Sequence, residues 1–198
     1  MRGKLVCIAG LDGSGKTTQS QLLFNWLKNS NYSCEQIELY KYKVDNTKIL
    51  RRSLEFIKQN KIEPSYSGMK EIQIAFGIII AIEEKIVNYL EDGKIVIVDR
   101  YIETLGTRFK EKYWPSKILN DAPIPNIYLF IDLLPEICFK RIVSKGIALS
   151  PNEDIKALRQ PYKYYKSNQD KYNFIPISGN DTPERVFFSI QSTISALI

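Results

Sequence analysis

The stretch from Lys4 to Asn29 constrains the chain more than any other. It opens with the apolar run Leu5-Val6-Cys7-Ile8-Ala9 and turns through Gly10-Leu11-Asp12-Gly13-Ser14-Gly15. From Lys16-Thr17-Thr18 it continues as an amphipathic helical pattern to Asn29. This is the G-x-x-x-x-G-K-[ST] spacing set between a strand and a helix, the context that separates a phosphate-binding loop from a chance glycine-rich turn. Gly10, Gly13 and Gly15 carry no Cβ, so the loop's N–H groups can turn toward one point. Those amides and the following helix N-terminus, with Ser14 and Thr18 alongside, suit the β-phosphate of a nucleotide. Lys16 is spaced to reach the β- and γ-phosphates of ATP or GTP as a point charge, and the Thr17 hydroxyl to ligate Mg2+.

The rest of the chain alternates short β-branched runs with longer helical ones. The pattern predicts strands at Lys4–Ala9, Cys34–Tyr40, Ile95–Val98, Ile127–Ile131 and Phe174–Ile177. It predicts helices at Lys16–Asn29, Thr47–Asn60, Met69–Glu91, Pro135–Lys145, Glu153–Lys171 and Pro183–Leu197. Near-continuous apolar strands separated by helices imply an α/β fold of three layers, about five parallel strands with helices on both faces. No repeat or Gly/Ser-rich linker divides residues 1–198, so one domain is expected. Such sheets bind ligands at the carboxyl ends of their strands. Val98-Asp99-Arg100-Tyr101 closes one strand there. Beside the phosphate loop, Asp99 can approach Mg2+ and Arg100 a transferring phosphoryl group.

Composition narrows the chemistry. The 198 residues include no histidine, which excludes Ser-His-Asp and Cys-His systems, His-ligated zinc and a histidine general base. Three separated cysteines, Cys7, Cys34 and Cys138, suggest a reduced setting rather than a disulfide framework. The first apolar run is too short for a secretory signal, and the stretch from Ala75 to Ile82 is too short for a membrane span. A cytoplasmic protein without a membrane partner is therefore expected. No nucleic-acid module stands out either. The formal charge of +6 is concentrated. Between Lys140 and Lys171, eight basic residues against three acids carry five of those six units.

Gly10-Leu11-Asp12-Gly13-Ser14-Gly15-Lys16-Thr17-Thr18-Gln19, Asp99-Arg100-Tyr101 and Ile131-Asp132-Leu133-Leu134-Pro135-Glu136 together resemble the thymidylate kinase family. The likeness extends along nearly the whole chain, although these motifs belong to nucleoside monophosphate kinases more broadly. It implies that ATP is the phosphoryl donor, a nucleoside monophosphate the acceptor and dTMP the acceptor of that family. On this resemblance Asp12 would contact the acceptor's 3′-hydroxyl, Arg100 would sit between the two sets of phosphates, and Asp99 would support the Mg2+ shell. A lid at about 141–156 would close over ATP and bring Arg141 to the phosphates, with Lys16, Arg100 and Asp12 as its catalytic companions; Arg159 is a further basic candidate.

The chain departs from the pattern at several positions. The loop position where the family can carry arginine holds Gly13, and the lid's Asp-Arg pair reads Leu149-Ser150. In the helix of the acceptor site, Phe76 is available for base stacking, but isoleucine occupies the arginine position one turn on. Lys41 or Lys43 replaces an arginine after the second strand, and Arg108 stands where it could compensate. Two other readings stay open: a deoxynucleoside or other nucleotide kinase, and a diverged nucleotide-binding paralogue with little catalysis. The isoleucine-rich stretch from Ile72 to Val87 is apolar around much of its circumference, which suggests burial on both sides and a homodimer through this helix.

Overall fold

The computed structural model describes residues 2–109, 117–144 and 154–196, with the side chain of Arg108 excepted. Five strands form one sheet: β1 (Lys4–Gly10), β2 (Cys34–Ile37), β3 (Ile95–Asp99), β4 (Ile127–Asp132) and β5 (Ile175–Ser178). Their order is β2-β3-β1-β4-β5 and every pairing is parallel. The helices are α1 (Lys16–Asn29), α2 (Asn46–Asn60), α3 (Tyr66–Ala81), α4 (Asn88–Glu91), α5 (Glu103–Arg108), α6 (Pro135–Val143), α7 (Ile155–Ser167), α8 (Gln169–Tyr172) and α9 (Pro183–Ser195).

The strand period of two explains the layering. Val6, Ile8, Ile95, Ile97, Ile127 and Leu129 face Leu23 and Leu27 of α1 and Val186, Ile190 and Ile194 of α9. Their alternates Leu5, Cys7, Val96, Val98, Tyr128 and Phe130 face the other layer, built from α3, α5, α6 and α7. Strands apolar on both sides are what a doubly covered parallel sheet demands, and the expected three-layer architecture is present. The Gln19 side-chain amide donates to the Pro183 carbonyl at 2.9 Å, tying α1 to α9.

Local chemistry explains where boundaries moved. β2 ends at Ile37 instead of Tyr40, because Leu39–Lys41 closes into a 3-10 turn. α3 starts at Tyr66, ahead of the predicted Met69, because Ser65 caps it by accepting the Gly68 N–H at 3.1 Å. A π-helical turn, Ile82–Val87, joins α3 to α4. The predicted helix Glu153–Lys171 is α7 and α8, and Asp154 caps the first by accepting from Lys156 N–H. The heart of the predicted lid, Gly146 to Asn152 with Leu149-Ser150, lies outside the described residues.

The isoleucine-rich helix is covered largely by its own chain. Ile72, Ile78, Ile79, Ile80, Ile82 and Ile86 are all buried within one chain. α2 packs along α3, with Phe56 meeting Phe76 edge-on at 5.6 Å between ring centres. The sheet takes one side of the helix and the chain's own helices the other, so its apolar girth requires no second copy. Of the isoleucines between Ile72 and Val87 only Ile74 is exposed. No helix among the described residues is long and apolar enough to cross a membrane.

Candidate active site

Parallel register brings the strand ends together. Ile8 lies opposite Asp99 and Gly10 opposite Ile131, so the loop after β1 emerges between the carboxyl ends of β3 and β4. Gly13 and Gly15 stand at φ 81° and 100°, positive values that disfavour any side chain. Gly15 begins α1 with no side-chain cap, and a Cβ built there would meet nothing within 4 Å. The N-terminus of α1 therefore opens on space, as an anion cradle requires. Gly13 is the opposite case. Its Cβ would lie 2.5 Å from the Cys138 carbonyl oxygen and 2.9 Å from Ile142, because the loop rests on α6. An arginine in the loop has no room at this position.

Charged groups converge on the loop. Lys16 is 4 % exposed, and its Nζ donates to the Leu11 carbonyl at 2.5 Å while standing 4.0 Å from Asp12. Asp12 also pairs with the Arg100 guanidinium. Arg100 itself sits at φ 67°, in the left-handed region. From the next strand end, Asp99 accepts the Thr17 hydroxyl at 2.5 Å through Oδ2, whereas its buried Oδ1 finds no partner. Ser14 Oγ is a second buried oxygen without a partner. Buried oxygens are normally satisfied, and hard oxygen donors beside a phosphate cradle suit Mg2+. Thr17 and Asp99 thus fit the ion that the sequence implies. Among the described residues no three His, Cys, Asp or Glu side chains cluster as a metal cage.

Beside this cluster lies a cleft of about 420 Å³. Asp12 and Arg100 form one wall, Thr104 and Thr107 of α5 the second, and Leu158, Gln160 and Tyr165 of α7 the third. Its volume is in the range of small-molecule sites, roughly 300–1,000 Å³. No sequence motif marks Gln160 or Tyr165 for this place; α7 reads as a basic surface helix, and its docking is tertiary. Arg159 pairs with Glu136 at 3.1 Å, while Tyr162 and Lys166 reach Asp132 at 3.1 and 3.0 Å. Those contacts hold α7 against α6 and the end of β4.

Gly10, Asp12, Gly13, Ser14, Gly15, Lys16, Thr17, Asp99 and Arg100 come together as the spacing anticipates, with Thr18 exposed on the first turn of α1. Three others do not join them. Arg141 donates to the Gly179 carbonyl at 3.0 Å, beyond the end of β5. Phe76 is buried beneath the edge of Phe56 and the Arg52 guanidinium, 5.4 Å from its ring centre, and offers no open face to a base. Lys43 is exposed on the segment between the 3-10 turn and α2 and does not line the cleft. The side chain of Arg108 lies outside the described residues. Lys41, the other candidate near β2, is exposed and paired with Glu38, which raises its pKa chiefly through that hydrogen bond.

Between the loop and Arg141 sits Cys138, whose thiol burial pushes up to about 11 against smaller opposing effects of Lys16 and Arg141. All three cysteines are buried and free of disulfides. None is placed as a nucleophile.

A family profile described as thymidylate kinase matches residues 8–190. The chain is 26% identical to the thymidylate kinase of Carboxydothermus hydrogenoformans, covering 100% of this chain and 99% of that one. It is 27% identical to the thymidylate kinase of Rickettsia conorii, covering 99% and 93%. To the probable thymidylate kinase of Pyrococcus horikoshii it is 29% identical over 74% of this chain and 73% of that one.

Proposed function

The chain belongs to the thymidylate kinase family, and from that premise we propose that it transfers the γ-phosphoryl group of ATP to dTMP, giving dTDP and ADP. The observation carrying this reading is the meeting of Thr17 with Asp99, whose second oxygen is buried and unpartnered beside the open cradle at Gly15. ATP lays its β-phosphate against the loop amides, and Lys16 exchanges the Leu11 carbonyl for phosphate oxygens. Mg2+, when bound by Thr17 and Asp99, supplies neutralisation of the phosphate charge. Arg100 stands between donor and acceptor, and Asp12 both steers that guanidinium and accepts from the acceptor's sugar hydroxyl.

The acceptor occupies the cleft formed by Asp12, Arg100, Thr104 and α7. Phosphoryl transfer needs alignment and charge neutralisation far more than a strong base, which suits a chain with no histidine. Arg141 and the lid over 141–156 act from the donor side in this reading. In this reading the protein works in the cytoplasm.

A second acceptor is supported by one feature. With Phe76 covered and isoleucines, Ile79 and Ile80, buried one turn on, the base-clamping pair that the family resemblance implies is missing, and a polar base edge is read strictly by its partners. Another nucleotide could then be the substrate. Purified protein with Mg-ATP, offered nucleosides and nucleoside monophosphates while ADP release is followed, separates the two. Turnover confined to dTMP supports the main reading, turnover with another acceptor moves the substrate, and ATP binding without any turnover overturns both. We propose further that the homodimer forms through the isoleucine-rich helix, at its exposed Ile74 with Leu50 and Leu54 of α2 alongside; a monomer by light scattering at micromolar concentration refutes it.

A further inference from the structure

Arg100 holds a backbone conformation that L-residues seldom adopt, φ 67°. Such a residue persists only where its surroundings over-determine it. Two hydrogen bonds bracket it. Its own N–H donates to the Ile8 carbonyl at 3.1 Å, extending the contact between β3 and β1. The next N–H, of Tyr101, turns the other way and donates to the Glu103 carboxylate, 3.1 Å from Oε2 and 3.4 Å from Oε1.

Glu103 is fully buried, an uncommon place for a carboxyl group. It also accepts from the Thr104 hydroxyl at 3.1 Å and from the Tyr128 hydroxyl on β4. Those partners are neutral donors. Burial raises its pKa while the donors oppose that rise. Thr104, like Arg100, lines the cleft. The rest of the turn is secured elsewhere: Tyr101 donates its hydroxyl to the Pro123 carbonyl at 2.9 Å, and its own carbonyl accepts from Tyr40 at 3.0 Å. What Glu103 alone supplies is the acceptor for the N–H that follows the left-handed residue.

We propose that Glu103 is the positioning residue of the site: by accepting the Tyr101 N–H and the Thr104 hydroxyl it fixes the turn that aims Arg100 into the cleft. Tyr128 locks the carboxyl in that place. The proposal rests on the phosphoryl-transfer reading, since it is through Arg100 that Glu103 acts. Glu103 touches no reactant.

The test is a double-mutant cycle. Glu103→Gln keeps the size of the side chain but aims an amide N–H₂ at groups that need acceptors. With Mg-ATP and dTMP it should lower kcat, normalised to the folded fraction read from a thermal melt, roughly tenfold while KM for ATP moves less than threefold. In an Arg100→Ala background the same change should cost less than twofold, because its target is gone. Full additivity, or a kcat within twofold of wild type for Glu103→Gln alone, overturns the proposal. Should that variant not fold, Tyr128→Phe removes one donor, keeps the carboxyl, and carries the same cycle with an expected two- to fivefold loss. Calorimetric binding of dTMP provides an arm independent of turnover. If wild type binds dTMP but does not turn over, the kinase reading fails. Glu103 is then judged by whether its substitution weakens dTMP in the wild-type background and not in Arg100→Ala.

Discussion

Replacing Gly13 and Gly15 by alanine, one at a time, separates what each glycine does. At Gly13 the new methyl enters at φ 81° and meets the Cys138 carbonyl oxygen at 2.5 Å and Ile142 at 2.9 Å. The backbone conformation costs an L-residue about 1–2 kcal/mol, and forcing α6 aside adds about 1–3 kcal/mol, as overpacking does. Together these make about 2–5 kcal/mol, a large part of the ~5–15 kcal/mol that holds a domain folded. At roughly 2–4 °C per kcal/mol for a chain of this size, Tm should fall by about 10 °C. At Gly15 the methyl meets nothing within 4 Å, so only the backbone cost remains, about 1–2 kcal/mol, and Tm should fall by about 3–5 °C. Function should rank the other way. The Gly15 methyl projects into the cradle, so Gly15→Ala should abolish measurable ATP binding in a protein that still folds. Thermal melts without nucleotide, paired with calorimetric titration of Mg-ATP, read both axes. Equal losses of Tm for the two variants would refute the packing account of Gly13. Undiminished ATP affinity in Gly15→Ala would refute the cradle.

Other outcomes follow from the same geometry. Asp99→Asn should lower kcat on the order of a hundredfold, as loss of a group that stabilises developing charge does, and raise the Mg2+ concentration at half-maximal rate; a Tm near wild type would show that the loss is chemical. Arg159→Ala should shift stability by less than ~1 kcal/mol in urea melts, because its partner Glu136 and the arginine itself are both more than half exposed. Cys138 should resist thiol reagents at pH 8 in the native protein. Its folded pKa is raised from 9.0 to about 11, so its contribution to stability is intact below pH 9 and declines as pH rises through about 11. Cys138→Ala should lack that component, measured as a flatter stability profile over the same interval.

The phosphate loop, the five strands and the Thr17, Asp99 and Arg100 set are legible because each is a local signal on a regular frame. A glycine spacing marks the turn, and β-branched runs mark the strands. Parallel order then fixes which strand end lies beside which. Phe76 and Arg141 are harder. Both are residue types suited to a nucleotide site at plausible spacing, but their partners, Arg52 with Phe56 and the Gly179 carbonyl, come from elsewhere in the chain. Spacing along one helix carries no information about a side chain that arrives from another.

The difference lies in the range of the interactions concerned. The fold class, the anion cradle and the identity of its cations depend on contacts within a strand-turn-helix unit and on the register of neighbouring parallel strands, so they are written in the order of residues. Packing between elements decided the rest: α2 covers the isoleucine-rich helix, α6 leaves no space beside Gly13, and α7 closes the cleft with Gln160 and Tyr165. It also buried Glu103 behind Arg100, where an acid in an apolar stretch becomes an acceptor for a strained turn. Such outcomes depend on shape and burial across distant segments, which no single stretch of sequence contains.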